Sequence, residues 1–508
     1  MTPKIIKSFI TPQKRKERNP DHESKIDLCT ACSAYASVRN GTCLLRSESE
    51  WRRNHDRSTD LPDTTATPES TAVTPNIPET LNYGDTTVTI LMCKEQMKQT
   101  MTIDGSEGLL PDALNTRLRK VESRLGVKLE FIEEPGNWAN RASFISKVEA
   151  AVQNGSEYDL VVAYNLNPPT MAVRGLLMDI NESDYIDFTK PWWPDRLIDT
   201  ISFNDRVFFC VDNSSYGSIR NMACIMFRKD IADEYNMPAD TLYSYALNGE
   251  WTIDKMEECI QGVYKDLNNN NVKDYGDLYG FAAVDKPRLD AFFHGSGLTI
   301  VGKDSEGNFV MTLGDEKVQT VLERMNKLLF GDEYVYMADD KMYEMFINAQ
   351  VLFYDTPIAI VDKNLDFEFG VLPTPKFDSE QDTYITYISN THDSFCIPKT
   401  VRDFDMSAAI IECMAYEAYT EVAPKYFEVM LKYKYSSDTK SGQIYDIIRR
   451  NVMFDFGYIF SENFISNPIL LYRNTLTSGS TSWASQYRAY SGPYQKNLQS
   501  IIDAMSSQ

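Results

Sequence analysis

One stretch of the chain carries the spacing of a metal site. Asp266, Asn268, Asn270, Asp274 and Asp277 occupy positions 1, 3, 5, 9 and 12 of a twelve-residue segment, and the Val272 carbonyl falls at position 7. Ca²⁺ takes six to eight oxygen ligands, and this spacing folds oxygens around one point. Two residues depart from the usual pattern. Asn271 stands where a tight turn favours Gly, although Asn tolerates a left-handed backbone better than most residues. Asp277 stands where a bidentate Glu is usual. With three carboxylates the expected affinity is weak, on the order of 10⁻⁴–10⁻³ M, and the expected role is structural. The competing reading is an Asn/Asp-rich turn between a helix and a strand.

A second set of residues could hold a sugar. Trp138, Tyr164, Trp192, Trp193, Tyr216, Phe293, Tyr354 and Trp483 lie in or beside expected loops, where a flat ring can stack on the apolar face of a pyranose. Asn165, Asn167, Asn221 and Asn390 could supply the amide hydrogen bonds, with His392 beside Asn390. Most aromatic residues in any chain pack a core, so burial is the competing reading for each ring. Nucleophile elbows, Walker loops, H-E-x-x-H and G-x-G-x-x-G after a strand are all missing. Acidic pairs such as Asp339-Asp340 arise by chance in a chain with 73 acidic residues.

The elements that would position these residues centre on Asp159–Ile180. Asp159–Tyr164 is an apolar, β-branched run suited to the middle of a parallel sheet. Asn165, Asn167, Pro168 and Pro169 break it, and the loop so formed falls in the crevice beyond a strand's carboxyl end, where α/β sheets bind ligands. Thr87–Cys93, Leu110–Leu125, Val127–Ile132 and Ala142–Val152 precede it as strand, helix, strand and helix. That order implies parallel crossovers and one α/β lobe. Further strands are expected at Val207–Val211, Ala223–Arg228, Val351–Tyr354 and Phe369–Leu372. Helices are expected at Trp251–Lys265, Lys317–Phe330, Met342–Ala349, Ala408–Lys434 and Ser441–Val452.

With 508 residues the chain exceeds one core. Its formal charge of −22 argues against nucleic acid and anionic membrane surfaces. No run approaches the ~18 apolar residues of a membrane span. The nine cysteines show no repeated pair spacing, and Cys29-x-x-Cys32 is the one close pair, so those of the folded region read as small core hydrophobes. Residues 1–85 are expected to be a disordered, atypical segment ending in a Thr/Pro/Ser linker, the spacer type that follows a lipid anchor. Basic residues and Thr30-Ala31-Cys32 are present there, but an apolar signal core is not, so either the protein is not exported by this start or its N-terminus is disrupted or misassigned, and the linker favours the second.

Several segments in order carry a resemblance: Arg119–Gly126 before a strand, Asp159–Ile180, Ala223–Tyr235, Gly249–Asp254, Phe369–Pro375 and Ala415–Tyr433. From about Thr86 onward the chain resembles the extracellular solute-binding proteins of family 1, the maltose-binding-protein-like sugar receptors of ABC importers. The resemblance implies a two-lobed α/β fold of the periplasmic-binding-protein type II kind, with hinge crossings and a central cleft. Residues 86–206 plus 352–398 would form the N-terminal lobe, and 207–351 plus 399–508 a helix-rich C-terminal lobe. Hinge crossings are expected near Asp205–Tyr216, Val351–Thr356 and Pro398. The implied function is capture of a neutral oligosaccharide for ABC permease subunits, by a non-enzymatic monomer lipid-anchored on the outer face of the cell membrane. The resemblance places a sugar-contacting aromatic at the position of Ala163, next to Tyr164. A secreted carbohydrate-active enzyme, or a receptor for a peptide or another solute, is the alternative.

Overall fold

Strand β1 (Thr86–Cys93) pairs in parallel with β2 (Val127–Glu134) on one side and β3 (Leu160–Tyr164) on the other. The computed structural model describes residues 73–96, 100–101, 108–155, 157–212, 215–284, 287–338, 341–362, 365–426 and 439–508. Helix α1 (Leu109–Leu125) links β1 to β2, and α2 (Arg141–Asn154) links β2 to β3. Leu110, Leu114, Leu118, Val121 and Leu125 form the buried stripe of α1, as a 3.6-residue period requires. Gly126 ends α1 at φ 61°, and a Cβ there would lie 2.5 Å from the Asn82 Oδ1 atom, so both backbone and space call for glycine. All five residues of β3 are buried, the burial pattern of a strand covered on both faces. The expected disordered segment up to residue 72, with most of the Thr/Pro/Ser linker, lies outside the described residues.

A second sheet builds the other lobe. Its core is β4 (Ala223–Arg228), β6 (Leu278–Ala283), β8 (Val351–Pro357) and β9 (Phe369–Leu372), with β5 (Tyr264–Lys265) and β7 (Val335–Met337) both paired to β6. The order is β9-β4-β8-β6-β5. Helix α3 (Ile253–Ile260) precedes β5 and is shorter than the expected Trp251–Lys265 helix, because Gly262 turns the chain at φ 80° and Tyr264 and Lys265 pair with Tyr279 and Leu278.

The chain then returns to the first sheet. Strand β10 (Asp393–Cys396) pairs antiparallel with β3, giving the order β10-β3-β1-β2, and α4 (Phe404–Glu417) packs against α1. Asp403 caps α4 by accepting the Met406 N–H, and the adjacent Arg402 holds the buried Asp159 carboxylate at the start of β3 with Nε 2.9 Å from Oδ1.

These pairings correct the expected lobe boundaries. Val351–Thr356 is not a crossing but part of the central strand of the second sheet, flanked by β4 and β6. Residues 352–372 therefore belong to the second lobe, and β10 with α4 to the first. Pro398 bridges Leu177 inside the first lobe. The crossings run from Cys210, which pairs with Phe395, to β4, and from β9 back to β10. They lie side by side where Met222 pairs with Ile388. A third connection leaves α4 and reaches α5 (Thr439–Arg450), part of it outside the described residues.

Candidate functional site

The carboxyl end of β3 meets the second lobe through a chain of amide bonds. Asn165 is fully buried: its Nδ2 donates to Asn390 Oδ1 at 2.9 Å, its backbone N–H donates to the His392 carbonyl at 2.9 Å, and its Oδ1 accepts from the Ser394 hydroxyl. Asn390 in turn donates to the Tyr458 carbonyl at 3.1 Å, in the short helix α6 (Phe456–Ile459) of the opposite lobe. Beside this chain lies a cavity of about 10 Å³ lined by His294, Tyr387, Asn390, His392, Asp455 and Tyr458. The Tyr387 and Tyr458 hydroxyls bond each other. His392 donates from Nδ1 to the Ser389 carbonyl at 2.7 Å, and its buried Nε2 has no partner among the described residues. Burial pushes both His392 and His294 down to about 4, so both rings are neutral near pH 7.

Behind the cavity, Arg473 grips the buried Asp290 with two bonds of 3.0 and 2.5 Å. Burial pushes the Asp290 carboxyl up to about 6, with Arg473 opposing the shift. Asp455 accepts the Ile300 and Gly457 N–H groups at 2.6 and 2.8 Å. Amides, phenols and neutral imidazoles thus dominate the seam, the donor and acceptor set that suits hydroxyl-rich solutes.

At the rim, Trp138 is 58% exposed, with the Arg141 guanidinium 4.8 Å from its ring centre. Arg141 also pairs with Glu462 of the opposite lobe, Nε to Oε2 at 2.7 Å, which ties the start of α2 to that wall. Tyr164 is buried nearby, and its phenol is pushed up to about 12 by burial and then by the Glu462 charge. Asn167 sits one turn on, donating to the Gly136 carbonyl at 2.9 Å and holding an unpartnered Oδ1. At the crossings, Asn221 accepts from Ser389 and Thr391 and donates to the Gly217 carbonyl at 2.7 Å. Tyr216 packs on Tyr426 at 5.2 Å in the same region.

Five expected stacking rings are core residues instead. Trp483 is 2% exposed and donates to the Leu313 carbonyl at 2.8 Å, between Tyr472 and Tyr487. Trp193 donates to the buried Glu412 at 3.0 Å, while Trp192 is enclosed by Tyr416 and Tyr419. Phe293 packs against Tyr472, and Tyr354 lies between Phe346 and the Arg288 guanidinium. Trp192, Trp483, Phe293 and Tyr354, covered in this way, offer no open face for a pyranose, whereas Trp193 borders a cavity beside the crossings. Sequence reasoning missed Tyr387, Tyr458, Asp455 and His294, which come from three separate segments and share no spacing that would mark them.

The 266–277 loop folds as a tight turn. Asn271 takes φ 59°, and its N–H donates to Asp266 Oδ2 at 2.8 Å. Asp274 accepts from both Asn268 and Asn270, and Asp277 Oδ2 accepts from the Tyr264 hydroxyl at 3.0 Å. Among the described residues, the Oδ1 atoms of Asp266 and Asp277 are buried without hydrogen-bond partners. Among the described residues, Asp266, Asp274 and Asp277 do not converge as a group of three metal-ligating side chains. The six described cysteines are all buried and unpaired. No described helix is long and apolar enough to cross a membrane.

No protein-family profile matches the chain, and no curated protein does. Solved structures match it over more than four fifths of its length. A cyclic α-maltosyl-1,6-maltose binding protein from Arthrobacter globiformis aligns over 84% of this chain and 100% of its own, with 13% identity and a TM-score of 0.56. The GacH receptor of Streptomyces glaucescens, solved unliganded and with acarbose, covers 82% of this chain and 99% of its own at 12% identity and TM-score 0.51. UgpB from Mycobacterium tuberculosis, bound to glycerophosphocholine, covers 83% and 99% at 13% identity and TM-score 0.52. The chain shares the two-lobed periplasmic-binding-protein fold with these binding proteins.

Proposed function

We infer that this chain is an extracellular receptor that captures a carbohydrate, an oligosaccharide in particular, between its lobes and passes it to an ABC importer. The observation that carries this reading is the seam itself, where Asn165, Asn390, Tyr387 and Tyr458 place neutral donors and acceptors between two lobes joined by paired crossings. The shared fold supports it, since two of the similar structures are described with saccharide ligands, cyclic α-maltosyl-1,6-maltose and acarbose. The reading includes a non-enzymatic monomer, lipid-anchored and facing the permease subunits. Its ligand is neutral, because the seam presents amides and phenols and the chain as a whole repels anions. A thermal-shift screen of neutral oligosaccharides, with glycerophosphocholine and short peptides as rival arms, tests it. Stabilisation by an oligosaccharide supports the reading, and stabilisation by a rival arm alone overturns it. Recovery of a cleaved glycan would favour an enzyme instead.

The second part of the proposal is a structural Ca²⁺ in the 266–277 loop. The unpartnered Oδ1 atoms of Asp266 and Asp277 and the left-handed turn at Asn271 support it. Asp266, Asn268, Asn270, Asp274, Asp277 and the Val272 carbonyl would supply the oxygens, and the ion would fix the turn that delivers β6 to its sheet.

A further inference from the structure

A cavity of about 450 Å³ lies where the crossings meet, with walls from both lobes. Ile388 and Phe454 line it and also line the small seam cavity, so those two side chains stand between the two spaces. Its charge is opposite to that of the chain. Among the described residues, Lys190, Arg196, Arg449 and Arg450 line it against a single acid, Asp195, in a protein with 73 acidic and 51 basic residues. Lys190 and Arg196 come from the first lobe, beside the helix Asp195–Ile201, and Arg449 and Arg450 from the last turn of α5 in the second.

Local structure explains only half of this cluster. Cations in the last turn of a helix are favoured by its dipole, which accounts for Arg449 and Arg450. Arg196 sits in the first turn of its helix, where the same dipole disfavours a cation. Among the described residues, ion pairs reach two of the four cations. Lys190 reaches Asp187 at 3.7 Å and Arg449 reaches Asp446 at 3.9 Å, while neither Arg196 nor Arg450 has an ion pair among the described residues. Trp193, Phe454 and the 38% exposed Tyr419 add apolar surface beside the charges.

We propose that this cavity binds a compact polyanion, a small solute carrying at least two negative charges on phosphate or carboxylate groups, held between the cations of the two lobes. Guanidinium groups match both chemistries with forked hydrogen bonds. The site is distinct from the seam proposed for the oligosaccharide. Because its cations come from both lobes, occupancy and lobe arrangement are linked reciprocally.

The test is calorimetric titration of the full chain with inorganic pyrophosphate and, separately, citrate, at constant ionic strength set with sodium chloride. One-to-one binding of either probe is expected, and the probe preferred tells a phosphate source from a carboxylate source. The Arg449→Gln/Arg450→Gln variant should bind about tenfold more weakly, and Asp195→Asn, which removes the one lining acid, more tightly. Lys128→Gln removes the same kind of charge from an exposed strand and should bind as the wild type does. If the double arginine variant does not fold, Asp195→Asn still decides. Absence of binding by both probes, unchanged affinity in Asp195→Asn, or an equal loss in Lys128→Gln would overturn the proposal.

Discussion

Replacing Trp483 with Ala separates the core reading of that ring from the ligand reading most sharply. The indole is buried in the first turn of the C-terminal helix Trp483–Ser506, its N–H bonded to the Leu313 carbonyl and its ring flanked by Tyr472 and Tyr487 at 5.8 Å each. Truncating a buried Trp to Ala costs about 3–5 kcal/mol through lost transfer energy and the cavity left behind. The abandoned Leu313 carbonyl adds about 1 kcal/mol if it stays dry. A loss of about 4 kcal/mol would lower the melting temperature by roughly 10 °C, taking ~2–4 °C per kcal/mol for a domain of 150–250 residues. Urea unfolding followed by tyrosine and tryptophan fluorescence measures the first quantity, and a thermal scan the second. Solute affinity of the folded variant should be unchanged. A variant with wild-type stability and reduced affinity would refute this reasoning and restore Trp483 to the ligand site.

Tyr164→Ala should weaken oligosaccharide binding by about 1–3 kcal/mol, and Trp138→Ala by less because its ring is largely exposed; titration calorimetry on a ligand found by screening measures both. Arg473→Met should cost about 3–5 kcal/mol by leaving Asp290 buried without its cation, measured by urea unfolding, and a loss below ~1 kcal/mol would show that the carboxyl is neutral already. The folded pKa of His392 lies near 4, below the ordinary 6.5. Its neutral-ring contribution is therefore complete above 6.5 and lost as pH falls through 4, so the stability advantage of wild type over His392→Gln should shrink across that window. Ca²⁺ at ~10 mM over a site of ~0.1 mM should stabilise the fold by roughly 2.7 kcal/mol and Asp266→Ala should abolish the increment; no change in melting temperature on adding chelator or Ca²⁺ to the wild type would leave the loop as a plain turn.

The first lobe was legible because its signals are local. The apolar stripe of α1, the stop at Gly126 and the unbroken run of β3 each follow from a few neighbouring residues. Lobe boundaries were not, because an apolar strand such as Val351–Pro357 reads the same in a hinge as in the middle of a sheet. Its place depends on pairing with β4 and β6, more than seventy residues away in every register. The aromatic rings failed for a related reason. Loop position does not give access, because the loops holding Trp192, Trp193 and Trp483 fold back onto the core and satisfy their indoles there or enclose them. Asn165, Asn221 and Asn390 lie at the seam and crossings, bonded to one another's segments. Their partners Tyr387, Tyr458 and His294 needed the fold to be seen.

The central claim, capture of a neutral oligosaccharide between the lobes, is tested most directly by calorimetric titration of a screened oligosaccharide into wild type and Tyr164→Ala at low and high ionic strength. The account predicts one-to-one binding that salt barely alters, because no ion pair to the ligand is involved, and that falls about five- to 150-fold in the variant. Wild-type affinity in the variant, or binding that weakens steeply with salt, would contradict it.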